Sequence, residues 1–190
     1  MITWPLTFKP IAQEFYIQTL SVVFTNPYTN QQQVLERDGQ RWVSRITVER
    51  GGDLAREIDA LLASIRGPAG TVLMPDFRTL RARNVLGSPT LDSGSGRTLT
   101  VSGLSNPLLP GDMIQTSPGR GHIVTVASSG GSVSIEPRLR EPVVTGALIT
   151  DNVRVKMRFG SDDAARNPTR PPRRSSWTLE FVEVLPETAP

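Results

Sequence analysis

His122 is the one histidine in a chain of 190 residues that contains no cysteine. The side chains most often used to shuttle protons or attack a carbonyl near neutral pH are thus reduced to a single candidate. A serine triad built on His122 would need its nucleophile on a sharp strand-to-helix turn, and no G-x-S-x-G elbow surrounds any serine. His122 opens the apolar run Ile123, Val124 and Val126 and reads as a structural or exposed strand residue. Asp162 with Asp163, and Asp112 with Asp151, offer hard oxygen ligands without the alternating spacing of a calcium loop. Disulfides and thiolate metal sites disappear with cysteine. Gly94 and Gly96 look like part of a phosphate loop but lack the closing glycine-lysine pair and lead into a strand, so they read as a turn. The sequence therefore predicts no enzyme, no cofactor and no metal.

The basic side chains carry a different message. Of 21 lysines and arginines only Lys9 and Lys156 are lysine, at a net charge of +3. Arginine's planar fork suits protein interfaces and phosphate contacts alike, and a GC-rich host genome raises arginine use without any functional meaning. Arg138, Arg140, Arg154 and Arg158 would line a single-strand groove on a small barrel, but only Phe159 is at hand to stack on a base. Arg166, Arg170, Arg173 and Arg174 sit among prolines and small residues without apolar periodicity; they read as a mobile connector or a partner contact. No stretch approaches the ~20 apolar residues that cross a bilayer, and no basic start followed by an apolar run opens the chain. Synthesis in a reducing cytoplasm, with no membrane contact, is the expectation.

The aromatic residues divide the chain. They occur at Trp4, Phe8, Phe15, Tyr16, Phe24, Tyr28, Trp42 and Phe77, and then not again until Phe159. Two ends that share one core of large rings, and a middle folded around Val, Ile and Leu, would produce this distribution. The predicted architecture is mainly β. A discontinuous β-sandwich or barrel domain, residues 1–85 plus 175–190, carries one packed helix at 53–66. Residues 86–160 form an inserted small antiparallel barrel, and 161–174 a connector.

Local patterns supply the elements. Residues 14–24 are rich in β-branched and aromatic types, and 41–50 alternate, with Trp42, Ser44, Ile46 and Val48 on one face and Val43 as the exception on the polar side. Asp53 is placed to cap a helix whose apolar face is Leu54, Ile58, Leu61, Leu62 and Ile65, closed by Gly67 and Pro68. A strand follows at 71–74. After a loop dense in Gly, Ser and Pro, strands are expected at 97–102, 112–116, 122–127, 132–136, 147–150 and 153–159, all in the insertion, and a last one near 176–184 returns to the first domain.

In outline the chain resembles the distal tail proteins of long-tailed bacteriophages. The resemblance rests on the tryptophan-bearing strand, the amphipathic helix, Gly67-Pro68-Ala69-Gly70, and Leu73-Met74-Pro75-Asp76. In the middle it rests on Gly111-Asp112-Met113-Ile114-Gln115, His122 to Val126, and Glu136 to Arg140. It implies an inserted barrel of the oligonucleotide-and-oligosaccharide-binding type and a homohexameric ring at the tip of the tail tube. Its partners would be the tube protein, the baseplate hub and other tail-tip proteins, with nucleic acid only as genome passing through the lumen. The location would be the virion, after synthesis in the bacterial cytoplasm. Arg41 and Arg45, set against Glu49, Asp59 or Glu180 of a neighbour, are candidates for fixing ring register. Another minor tail or baseplate component, and a receptor or carbohydrate-binding module of the tail tip, are the alternatives.

Overall fold

The computed structural model describes residues 1–83, 85, 87–165, 169–170 and 174–185. In chain order their strands are β1 (Ile2–Thr3), β2 (Ala12–Thr25), β3 (Gln32–Gly51), β4 (Val72–Pro75), β5 (Gly87–Ser95), β6 (Thr98–Leu104) and β7 (Met113–Ser117). Then come β8 (Arg120–Ser129), β9 (Ser132–Glu136), β10 (Gly146–Ala147), β11 (Arg154–Phe159), β12 (Thr169–Arg170) and β13 (Arg174–Glu183). The helix α1 (Asp53–Ile65) lies between β3 and β4.

Among the described residues these strands form two sheets. The first runs β1-β4-β11-β13-β3-β2, with β12 on β13. It is mixed, since β1 lies parallel to β4 and the remaining pairs are antiparallel. Alternation sends Trp177, Leu179 and Phe181 of β13 and Trp42, Ser44, Ile46 and Val48 of β3 to one buried face. Trp4, Phe8, Phe15 and Phe159 join them, so rings from both extremities of the chain share one interior. The aromatic division does not extend to every ring: Tyr16, Phe24 and Tyr28, counted with this set in the sequence, are exposed. Val43, the residue out of pattern, is buried on the opposite face between its register partners Tyr16 and Val182.

Helix α1 covers the buried face with Ala55, Ile58, Leu62 and Ile65. Leu54, expected on that face four residues before Ile58, is exposed at the first turn of the helix. Leu61 is half-buried. Asp53 is also not the cap. Gly52 holds that position at φ 63° with no side-chain cap bond, and Asp53 sits in the first turn beside Arg56, at 3.4 Å. At the other end Arg66 takes the left-handed conformation, φ 58°, and donates its N–H to the Ala63 carbonyl. Ile58→Val should therefore cost about 1 kcal/mol and Leu54→Ala less than about 0.5 kcal/mol in urea unfolding; equal costs would contradict this helix register.

The second sheet runs β10-β5-β6-β9-β8-β7. It closes nearly to a barrel because Gln115, in β7, exchanges both backbone bonds with Ile149, just past β10, at 2.8 and 3.1 Å. Its interior is aliphatic: Leu91, Leu99, Val101, Leu108, Ile114, Val124, Val133, Ile135 and Leu148. Two expectations are corrected here. Residues 87–95 are a strand, not a loop, and alternation buries Pro89 and Leu91 despite the Gly, Ser and Pro content. Strand β11 belongs to the first sheet, between β4 and β13, so the insertion ends before Arg154 and not at 160. Val153, Val155, Met157 and Phe159 accordingly fill the aromatic core.

The barrel is seated on the first sheet at close range. Trp42 Nε1 donates to the Gly121 carbonyl at 2.8 Å, and Lys156 N to the Gly119 carbonyl at 2.9 Å. A Cβ on Gly121 would lie 2.7 Å from Val155 Cγ2, so glycine is what lets β8 approach β11. Met113 of the barrel completes the aromatic core. The described part of the connector is ordered into a 3-10 turn, Asp162–Ala165, and into β12 on β13, in place of the unstructured run expected.

Candidate interaction surface

Strands β2 and β3 pair over almost their whole length, from Ala12↔Thr47 out to Thr25↔Gln32. Their inner half lies in the sheet. The pairing slips between Gln18 and Leu20, and Gly39, at φ 135°, allows the bend, since a Cβ there would meet Leu20 Cδ1 at 2.8 Å. Beyond this point the hairpin projects as a two-stranded arm. Its tip is an ordered turn in which Asn26 Oδ1 accepts from Tyr28 N at 2.9 Å and the Asn26 carbonyl from Asn30 N at 2.9 Å. Its foot is held by Glu36, which accepts from Gln40 Nε2 and pairs with Arg97 of the barrel, both at 2.6 Å.

The arm is apolar on both faces and exposed on both. Leu20, Phe24 and Leu35 lie on one, Val23 and Val34 on the other, each about half exposed, and Tyr28 at the tip is 95% exposed. Together they present on the order of 700 Å². No charged residue occurs from Tyr16 to Leu35. Charge depletion with aromatic enrichment is the compositional mark of a buried interface centre.

The arm also has an open edge, because β2 is the terminal strand of its sheet. Near the sheet that edge is guarded. Arg78 Nη2 donates to the Phe15 carbonyl at 2.7 Å, and the Gln13 amide bridges the Pro75 carbonyl, at 3.0 Å, and Phe77 N, at 2.8 Å. From Leu20 to Thr25 no strand among the described residues pairs with the outer side of β2, and neither proline nor lysine interrupts it.

Four of the charged residues that the sequence offered for ring register, Arg41, Arg45, Asp59 and Glu180, are engaged inside one chain. Arg45 stands in register between Glu14 and Glu180 and contacts them at 3.4 and 2.9 Å. Arg41 Nε donates to Gln18 Oε1 at 2.9 Å, and Asp59 accepts from Trp177 Nε1 at 3.1 Å, tying the helix to β13. Glu49 is exposed. Arg170 lies in β12 opposite Arg174, whose side chain is exposed, and Arg166 and Arg173 fall outside the described residues. The arm was missed by sequence reading although its signal, a twenty-residue stretch without charge, is visible in the sequence.

The second notable locale is the joint between barrel and sheet. His122 is 6% exposed, its Nδ1 2.7 Å from the Pro137 carbonyl and its Nε2 3.3 Å from Thr116 Oγ1. Burial pushes it down to about 4, with the Arg140 and Arg120 charges acting in the same direction. Glu183, also buried, is shifted up by desolvation, opposed by the Trp42 N–H and Arg140. The two shifts act oppositely on stability. As pH falls from about 6.5 to about 4 the unfolded chain takes up a proton at His122 that the folded chain refuses, a loss of roughly 3 kcal/mol. Glu183 contributes the reverse sign above the ordinary carboxylate range, where its ionisation costs more in the folded state. His122→Gln should therefore flatten the decline of stability between pH 6.5 and 4, measured by urea unfolding; an unchanged slope would contradict the burial of a neutral ring. Asp112 is likewise structural, accepting from Arg83 Nε and Leu109 N, both at 2.9 Å.

A scan against models of known protein families matches none of them, and a search among curated proteins gives no match either.

Proposed function

We propose that this chain is a structural virion subunit that assembles with copies of itself into a closed ring at the distal end of a phage tail tube, joining the tube to the hub and receptor-binding apparatus. The observation that carries self-assembly is the projecting arm: uncharged from Leu20 to Leu35, with apolar side chains exposed on both faces, and open along β2. A monomer that kept such an edge exposed would be prone to uncontrolled strand pairing. A ring removes the hazard by giving each edge a fixed partner, through a heterologous contact that closes. The exposed area of the arm is of the same order as the ~800 Å² per partner of a standard stable interface.

The tail location draws on the resemblance in element order, from the tryptophan strand and amphipathic helix to the inserted barrel. The mechanism is assembly, with the ring's opening left for genome passage. Native mass measurement with negative-stain imaging tests it: a closed sixfold ring is the expected result, and a chain that stays monomeric at every concentration would overturn the proposal.

A further inference from the structure

Between the inner half of the β2–β3 hairpin and the barrel lies an open groove of about 430 Å³. Phe15, Ile17 and Trp42 line it from the sheet, Met113 and Ile123 from the barrel. Strand register accounts for the first three. Ile17 stands opposite Trp42, and Phe15, two residues before Ile17, packs on Trp42 with ring centroids 5.0 Å apart. The charged lining residues are closed on each other: Arg78 holds Asp76 through Nε to Oδ1 at 3.0 Å and Nη2 to Oδ2 at 2.9 Å, and Nη2 also donates to the Phe15 carbonyl at 2.7 Å. A two-pronged pair of this kind fixes the plane of the guanidinium, and a fixed plane on the groove wall is a surface on which a ring can stack. A charged guest would surrender its hydration here without gaining an unmatched opposite charge. The groove therefore suits an uncharged aromatic side chain.

We infer that this groove receives the tip of the arm of a second copy of the chain, with Tyr28 as the ring that enters it. The inference rests on the arm being the self-assembly surface and names what the arm meets. Tyr28 is 95% exposed on a turn already ordered by Asn26, so little freedom is lost when its ring is captured. The groove's volume is at the low end of the roughly 300–1,000 Å³ of ligand pockets, a scale that fits an aromatic anchor. No chain fills its own groove. Ile17 and Thr25 are eight residues apart in β2, roughly 25 Å at about 3.3 Å per residue, and pairing with β3 keeps the arm extended. Tip and groove are thus two different patches on each subunit, which is what a head-to-tail contact between identical chains requires.

The absence of cysteine permits a direct test on the whole chain. Thr29→Cys marks the tip and Thr79→Cys the groove; the two single variants are mixed and treated with a short bismaleimide. A dimer cross-linked from position 29 to position 79 is expected from the mixture and from neither variant alone. Tyr28→Ser, which removes only an exposed ring, should abolish that link and weaken self-association in sedimentation about tenfold or more, with unfolding free energy unchanged. Assembly that proceeds without the 29-to-79 link, or as tightly in Tyr28→Ser, would overturn the inference and leave the groove to a different partner, with the arm's role in assembly intact. Cross-linking of Thr29→Cys to itself would do the same, by setting tip against tip. A chain that stays monomeric at every concentration would overturn both.

Discussion

Phe181→Ala should cost about 3–5 kcal/mol of folding free energy, the range for truncating a fully buried ring. Phe181 is fully buried, stacks on Phe159 with ring centroids 4.6 Å apart, and meets Trp4 edge-on at 6.0 Å. In register it faces Ser44 of β3 on one side and Phe159 of β11 on the other. It therefore touches the chain's beginning, its return from the barrel and its last strand at once. Truncation forfeits the transfer energy of the ring, leaves a cavity that a packed sheet cannot collapse, and loses aromatic pairing worth roughly 0.5–1.5 kcal/mol. Guanidinium unfolding with the slope held constant would measure it. A loss below about 1 kcal/mol would mean that Phe181 is not the meeting point of the three segments.

The second large effect is expected on the arm. Val23 and Val34 face each other across β2 and β3. Val23→Lys combined with Val34→Glu keeps an opposite-charge pair at that position, so the hairpin stays paired, and unfolding free energy should change by less than about 0.5 kcal/mol. Self-association should nonetheless collapse, because each contact would now bury charges whose desolvation costs several kcal/mol. Sedimentation analysis reads the outcome directly. A variant that assembles like the wild type would remove the arm from the interface. Reversing Arg45 makes a useful contrast: its two carboxylate partners belong to its own chain, so it should disturb the local cross-strand network more than the assembly.

Much of the fold was legible in the sequence because patterning and burial agree. The ring-poor middle does fold around aliphatic side chains, and the C-terminal strand does return beside Trp42 and the helix. The errors have physical causes. Strand β5 is built from Gly, Ser and Pro, types that normally signal a loop, and only the alternation of Pro89 and Leu91 marks it. Strand β11 carries the same period-two pattern as the barrel strands, so nothing local assigns it to a sheet. The aromatic division held the answer: Phe159 is the first ring after the gap and packs with the ends.

The arm was read wrongly for a related reason. Phe24 and Tyr28 looked like core residues by type, and type alone cannot tell a buried ring from one awaiting a partner. Charge spacing was a better guide than aromaticity, since a chain with 39 charged residues, 21 basic and 18 acidic, places none between Tyr16 and Leu35. Of the charged residues proposed for register, Arg45 and Glu180 are, by contrast, a pair that the strand register satisfies internally, and Arg41 bonds Gln18 across it. Opposite charges on neighbouring strands are cheap to pair within a sheet, and sequence spacing does not reveal which strands will be neighbours.

Amide hydrogen exchange across Leu20–Thr25, compared between dilute and assembled protein, tests most directly whether the arm is the self-assembly surface. Exchange should be fast at the open edge of β2 in the dissociated chain and slow markedly on assembly, while Ile46 and Leu179 stay protected in both. Assemblies in which Leu20–Thr25 exchange as fast as in the monomer would contradict the account.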